Sequence, residues 1–395
     1  STDRPPLQAA ACLMVSPFTL DSVEGYQAFA SWLQLLPLAG VGYLLLALGI
    51  PRKWMIPVVA SLALSGTFFI NAIFVWPKFF PLLPLFVIAG LLFESKSFSR
   101  SFHFWLLIGL LSSFVILIHP GSIFAVLALL LVYVGRHRRL HLNQFTAAGL
   151  AFALLILPWM VFQKTYDPPG NMLQKRFLAN HPTFDDVPLG EAIQSAYAEL
   201  TLEEWMDGRI ENLKTVVGDF RRALDPESIF QWGEGHLVFR SMTFVYFGVS
   251  LFPFLLGLPL AFLRNPYPST ASKWNALLIA CLIGVGIWVL IILPPGRTIV
   301  SHGSYFFPVL LMCWLLSLWI RHHIAFVAFF VLNACFFFAV WIVPRFQSIE
   351  TPKGYLDADM VNPGSLVVAV ASWVLLVSVS LFPLLNRSNE AHAHQ

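Results

Sequence analysis

Long apolar runs recur along the chain, each ended by one or a few charges or by a Pro or Gly turn. A helix needs about 20 consecutive apolar residues to cross the hydrocarbon of a bilayer. Runs that meet or approach this length cover 32–50, 54–76, 79–93, 103–119, 121–135, 145–163, 237–263, 274–294, 299–320, 323–343 and 364–385. The pattern predicts an all-α fold, a polytopic transmembrane helix bundle of about 11 spans. Two runs, 79–93 and 121–135, are short; they extend past their Pro or Gly neighbours or are partly re-entrant.

One segment, 164–236, breaks the pattern. It opens with the turn Tyr166-Asp167-Pro168-Pro169-Gly170-Asn171, which stops the preceding helix. Apolar residues then recur at helical spacing in Met172–Leu178 and Pro188–Leu202, and again from Leu202 to Phe220 through Trp205, Ile210, Leu213 and Val216. These predict short amphipathic helices lying on a membrane face as a helical cap. The chain thus divides into an N-terminal segment 1–31, spans one to six within 32–163, the cap 164–236, spans seven to eleven within 237–385, and a tail 386–395.

Composition agrees. Hydrophobic residues make up 57% and charged ones 11%, against about 25% charged in soluble domains. So few charges cannot cover a water-facing surface, which excludes a soluble enzyme, a disordered chain and a disulfide scaffold. The four cysteines, Cys12, Cys281, Cys313 and Cys335, form no C-x-x-C pair, so sulfur-based metal or redox chemistry is not expected. No basic stripe with interleaved aromatics points to nucleic acid.

Charge sets the expected direction, because short cytoplasmic loops collect Lys and Arg. Alternate loops, starting after the first span, carry Arg52 and Lys53; Lys96 and Arg100; Arg136, Arg138 and Arg139; Arg264 and Lys273; Arg321; and Arg387. Their acidic residues are Glu94 and Glu390, while the opposite short loops hold Lys78 and Arg297. The N-terminus is therefore expected outside, the C-terminus in the cytoplasm, and the cap outside, in a multi-pass protein of the inner (plasma) membrane. An external start requires an upstream signal or span, so either a missing upstream helix or a cleaved signal peptide is expected. Asp21–Ser22 would cap the helix leading into the first span.

The cap holds thirteen of the 21 acidic residues and seven of the 24 basic ones. No carboxylate falls in the middle of a span, which argues against a proton-driven transporter. Polar groups gather instead at the outer ends of spans: Lys78 in Trp76-Pro77-Lys78, His119 in His119-Pro120-Gly121-Ser122, Arg240, Arg297 after Pro294-Pro295-Gly296, and His302 in Ser301-His302-Gly303-Ser304-Tyr305. Those facing the protein would form a pocket for a phosphate-bearing group at the lipid boundary. Each also has a plainer reading. Lys78 and Arg297 suit the snorkelling ends of helices, His119 a helix-end hydrogen bond, Lys175 and Arg176 the cap surface or lipid headgroups, and Asp185-Asp186 solvated loop acids rather than a metal pair.

The architecture, with Phe74-Val75-Trp76-Pro77-Lys78, His119-Pro120-Gly121-Ser122, Asp167-Pro168-Pro169-Gly170-Asn171 and Ser301-His302-Gly303-Ser304-Tyr305, resembles the GT-C superfamily. These are membrane glycosyltransferases using polyprenyl-phosphate sugars, among them the protein O-mannosyltransferase and aminoarabinose transferase types. The resemblance implies transfer of a sugar from a lipid phosphate to an extracytoplasmic acceptor. It also implies a catalytic carboxylate in the first external loop, which here would precede residue 1 or survive as the stretch with Asp3, Asp21 and Glu24. On this reading Lys78, Arg240, Arg297, Lys175 and Arg176 hold phosphate, His119 and His302 orient or polarise, and Asp21 or Asp167 is the base. No metal ligand is assigned; the cofactor stays open, with a divalent metal as the candidate. Expected partners are membrane lipids, the polyprenyl-phosphate sugar donor and additional membrane subunits. Two alternatives stand beside it: a non-catalytic subunit of a larger complex, and an O-antigen ligase or polymerase type working through Arg176, His181, Arg209 and His236.

Overall fold

The computed structural model describes residues 6–18, 23–73, 78–94, 101–137, 142–166, 171–181, 185–217, 251, 253–262, 268–295 and 305–337. The described residues are predominantly helical, with no strand among them. In order the α-helices are α1 (Leu7–Val15), α2 (Val23–Leu35), α3 (Pro37–Ala47), α4 (Met55–Ala63), α5 (Gly66–Ile73), α6 (Leu82–Glu94), α7 (Phe102–Ile118), α8 (Ile123–His137), α9 (Leu142–Tyr166), α10 (Met172–Ala179), α11 (Leu189–Ala198), α12 (Leu202–Val217), α13 (Pro268–Ile291), α14 (Phe306–Trp319) and α15 (His323–Phe337).

Among the described residues four helical stretches are long and apolar enough to cross a membrane: Val23–Ala47, Pro120–His137, Leu142–Tyr166 and Thr270–Ile291. The helices Leu82–Glu94, Phe102–Ile118, Phe306–Trp319 and His323–Phe337 are apolar but shorter. Helix α9 shows what surrounds the protein: along its 25 residues Leu150, Leu154, Leu157 and Val161 are exposed. A continuous apolar face of this length is incompatible with water and suits lipid. This is a membrane protein.

Within the N-terminal segment 1–31 the described residues pack against the bundle, and one of the predicted runs divides. Helix α2 starts at Val23, directly after Asp21–Ser22, and α1 packs on α2 and α7 with Cys12 buried. The run 54–76 is not one helix, because it breaks at Leu64–Ser65 into α4 and α5. There the Ser65 hydroxyl donates to the Leu62 carbonyl (2.6 Å) and accepts from the Phe68 N–H (3.4 Å), starting a new turn. The freed carbonyls of Ser61 and Leu64 accept from Asn333 Nδ2 of α15 at 3.0 and 3.1 Å. In an apolar interior such carbonyls require a partner, and the buried Asn333 provides it. The spans at 237–263 and 364–385 lie mostly or wholly outside the described residues.

Packing is close where glycine allows it. α3 lies on α6, where a Cβ on Gly40 would fall 2.9 Å from the Leu83 carbonyl oxygen. α7 lies on α9 so tightly that a Cβ on Gly109 would collide with the Ala148 carbonyl. Small residues let helix backbones approach where lipid offers no hydrophobic drive to bring them together. The core runs through these helices to α14, whose Phe306, Val309, Leu310, Met312 and Cys313 are fully buried.

The polar segment forms α10, α11 and α12, near the bounds its periodicity predicts. Helix α12 begins with a reciprocal cap: Thr201 N donates to Glu204 Oε2 (2.9 Å) and Glu204 N to Thr201 Oγ1 (3.2 Å). Helix α10 ends at Asn180 in the left-handed region, φ 52°. The segment docks on the C-terminal end of α13. Arg209 donates to the carbonyls of Leu290 (2.8 Å) and Leu293 (2.7 Å), Asn212 to that of Ile292 (2.7 Å), and Leu293 N to Phe177 O (2.9 Å). A guanidinium here satisfies orphan carbonyls and complements the negative end of the helix dipole.

Candidate functional site

The turn between α5 and α6 is held from below by one side chain. Gln34, on α2 and fully buried, accepts from the N–H of Phe79 (2.9 Å) and of Phe80 (3.0 Å) through Oε1. Its Nε2 donates to Gln8 Oε1 of α1 (3.0 Å). Every strong polar atom of this amide is therefore engaged, and the backbone beside Lys78 is fixed. Phe79 packs edge-on against Phe68 (4.9 Å between centroids) and Tyr305 (5.2 Å).

Lys78 emerges from this turn with its Nζ 5.8 Å from the centroid of the Tyr305 ring, a cation–π contact. His119, in the extended linker between α7 and α8 (φ −153°, ψ 112°), comes close enough to feel the Lys78 charge. Its carbonyl accepts from Ser122 N at 3.0 Å, which shapes the Pro120–Ser122 turn. Burial pushes the Lys78 amine down to about 8. Burial, and then the charge of Lys78, push the His119 imidazole down to about 4, although part of its surface remains accessible. Near neutral pH the pair is thus one cation beside one uncharged ring. That set can bind an anion and orient it. His119 is too weak a base to accept a proton at neutral pH, so its role is hydrogen bonding.

The tertiary structure therefore unites Lys78, His119 and the Tyr305 of the Ser301–Tyr305 motif. Asp21, Asp167, Arg240, Arg297 and His302 lie outside the described residues. Lys175 is a correction. It is completely buried, and its ammonium donates to Asp185 Oδ1 (2.7 Å), Asp185 O (2.9 Å) and Val187 O (3.3 Å). Three N–H groups meet three acceptors, so this lysine braces α10 against the 185–187 segment and has no donor left for phosphate. Arg176 sits on the same helix, half-buried, with its Nε unpartnered. Asp185 is not a solvated loop acid, since it also takes His181 Nε2 at 2.5 Å. Of the four residues of the ligase-type alternative, Arg209 and His181 are likewise committed to internal partners, Arg176 is the half-buried cation just described, and His236 lies outside the described residues. Among the described residues no cluster of three or more His, Cys, Asp or Glu side chains could hold a metal.

Gln34 and Tyr305 gained no role from sequence patterns. A lone amide inside the apolar 32–50 run was the available signal for Gln34, since an unpaired amide is costly in hydrocarbon. Comparison with family models, with characterised proteins and with solved structures gives no match.

Proposed function

We propose that the chain is an integral membrane glycosyltransferase that moves a sugar from a polyprenyl-phosphate donor to an extracytoplasmic acceptor. The observation that carries this reading is the cation–π contact of Lys78 with Tyr305 at a helix-end turn, with His119 near enough for the Lys78 charge to act on it. A donor of this class places its lipid tail in the bilayer and its phosphate at such a depth. A cation there stabilises the departing phosphate, and a neutral imidazole and a phenol can orient it.

On this reading the bundle has about 11 spans in the inner membrane, with the N-terminus outside, the C-terminus in the cytoplasm, and the Lys78 turn and the 172–217 helices facing out. Support comes from the antiparallel packing of α8 on α13, which puts Arg136 beside Ser272 at one end. The start of α8, next to His119, then shares the other end with Leu293 and the docked α12. Arg136, one of the basic loop residues, thus lies at the end of α8 opposite His119.

Full-length protein reconstituted in liposomes, given a radiolabelled polyprenyl-phosphate sugar and an acceptor extract, tests the proposal. The wild type transfers label, while Lys78→Ala loses transfer by at least about 100-fold without losing its folded state. Undiminished transfer by Lys78→Ala rejects the site.

A further inference from the structure

A second cationic surface lies where α4 and α15 begin. The two helices run parallel. Trp54 at the start of α4 packs on His323 at the start of α15 (4.8 Å between centroids) and on Phe326 (5.2 Å). About two turns further on, Asn333 reaches the carbonyls of Ser61 and Leu64. Arg52, Lys53, His322 and His323 are exposed at this end and Arg321 is half-buried beside them. Lys53 Nζ stands 5.9 Å from the Trp54 ring centroid. Among the described residues none of the five forms an ion pair. Arg321 donates through one terminal nitrogen to the Leu260 carbonyl (3.4 Å), while its Nε is buried with no hydrogen-bond partner.

The arrangement is electrostatically unfavourable as it stands. Helix N-termini carry partial positive charge and prefer acidic neighbours, yet two of them sit side by side here beneath basic side chains. Neither α4 nor α15 has an acid in its first turn. An anion at this spot would relieve the repulsion among these basic side chains and complement the positive ends of both helices. The apolar bodies of α4 and α15 leave these cations at a helix end, the level at which basic side chains meet lipid headgroups.

We infer that this end of the bundle is a binding site for the headgroup of an anionic phospholipid, formed by Arg52, Lys53, Arg321 and His323 around Trp54. The inference is independent of the glycosyltransferase reading, because it concerns a different pair of helix starts. It also goes beyond a topology signal, which requires positive charge in a loop and no particular partner.

The test is native mass spectrometry of the full chain in detergent, titrated with phosphatidylglycerol, with phosphatidylcholine of the same acyl chains, and with inorganic phosphate alone. Phosphatidylglycerol is expected to bind at least about fivefold tighter than phosphatidylcholine, and phosphate alone not to displace it. Arg52→Gln with Lys53→Gln removes the preference, as does His323→Gln in part, which serves if the double variant fails to fold. Lys214→Gln, an exposed cation of α12 paired with Glu211 outside this patch, leaves it intact. Equal binding of the two lipids, displacement by phosphate, a preference surviving the first substitutions, or its loss in the Lys214 variant would each overturn the site.

Discussion

Lys175 and Lys78 are both lysines drawn out of water, and the protein treats them in opposite ways. Lys175 is sealed inside the α10 region and meets a carboxylate and two carbonyls, which use its three donors. Lys78 stands at a helix-end turn over an aromatic face and next to an uncharged imidazole, and burial lowers its amine to about 8. A compensated buried charge fixes structure. A cation that burial makes easier to deprotonate gains from an anion that approaches it at a helix-end turn. The sequence does not separate the two, since both are lysines near proline turns.

The comparison can be broken most forcefully at Asp185. Asp185→Asn leaves the Lys175 ammonium buried without its counter-charge, at a cost of about 3 kcal/mol. Limited proteolysis should show the 172–217 helices opening, with transfer falling only as folded protein is lost. Lys78→Ala should do the reverse, keeping thermal stability near that of wild type while activity drops by about 100-fold, or about 2.7 kcal/mol of transition-state stabilisation. If the two variants behave alike, the distinction between a bracing and a binding lysine fails.

Gln34→Leu sits between these extremes. It orphans the Phe79 and Phe80 N–H groups and should cost about 2 kcal/mol. Because those groups fix the Lys78 turn, the KM for the donor should rise as well. Thermal melts and donor titrations on one preparation would read both effects.

The smallest effect is in the pH profile. Donor affinity should weaken as pH rises through about 8, where Lys78 loses its charge, and Lys78→Arg should flatten that limb. Stability moves the other way. The folded amine binds its proton less tightly than the unfolded one, so the cost of burying the charge disappears between about 8 and the ordinary lysine value, and stability from this group rises with pH there. His119, lowered to about 4, should give no inflection in activity between pH 5 and 8. An inflection near 6.5 that disappears in His119→Asn would refute the neutral-imidazole role.

Much of this fold is legible along the chain. The apolar run at 145–163 becomes α9, Leu142–Tyr166, and the amphipathic stretches at 172–178 and 188–202 become α10 and α11. Both patterns arise from the partition of side chains between lipid or core and water, which needs only local periodicity. The break at Leu64–Ser65 was hidden because Ser61 and Ser65 are small enough to pass as members of an apolar run, and the partner that makes the break tolerable, Asn333, lies on a distant helix.

Sequence alone determined that this is a helical membrane protein with a polar, helix-forming insertion, because burial and solvation act on each segment in turn. Only the tertiary structure decided which polar residues are spent and which are presented. It seated Arg209 on the end of α13, sealed Lys175 against Asp185, and brought Lys78 to His119 and Trp54 to His323. Charge and hydrogen bonding depend on distance between atoms, and distances between remote segments are set by how helices pack.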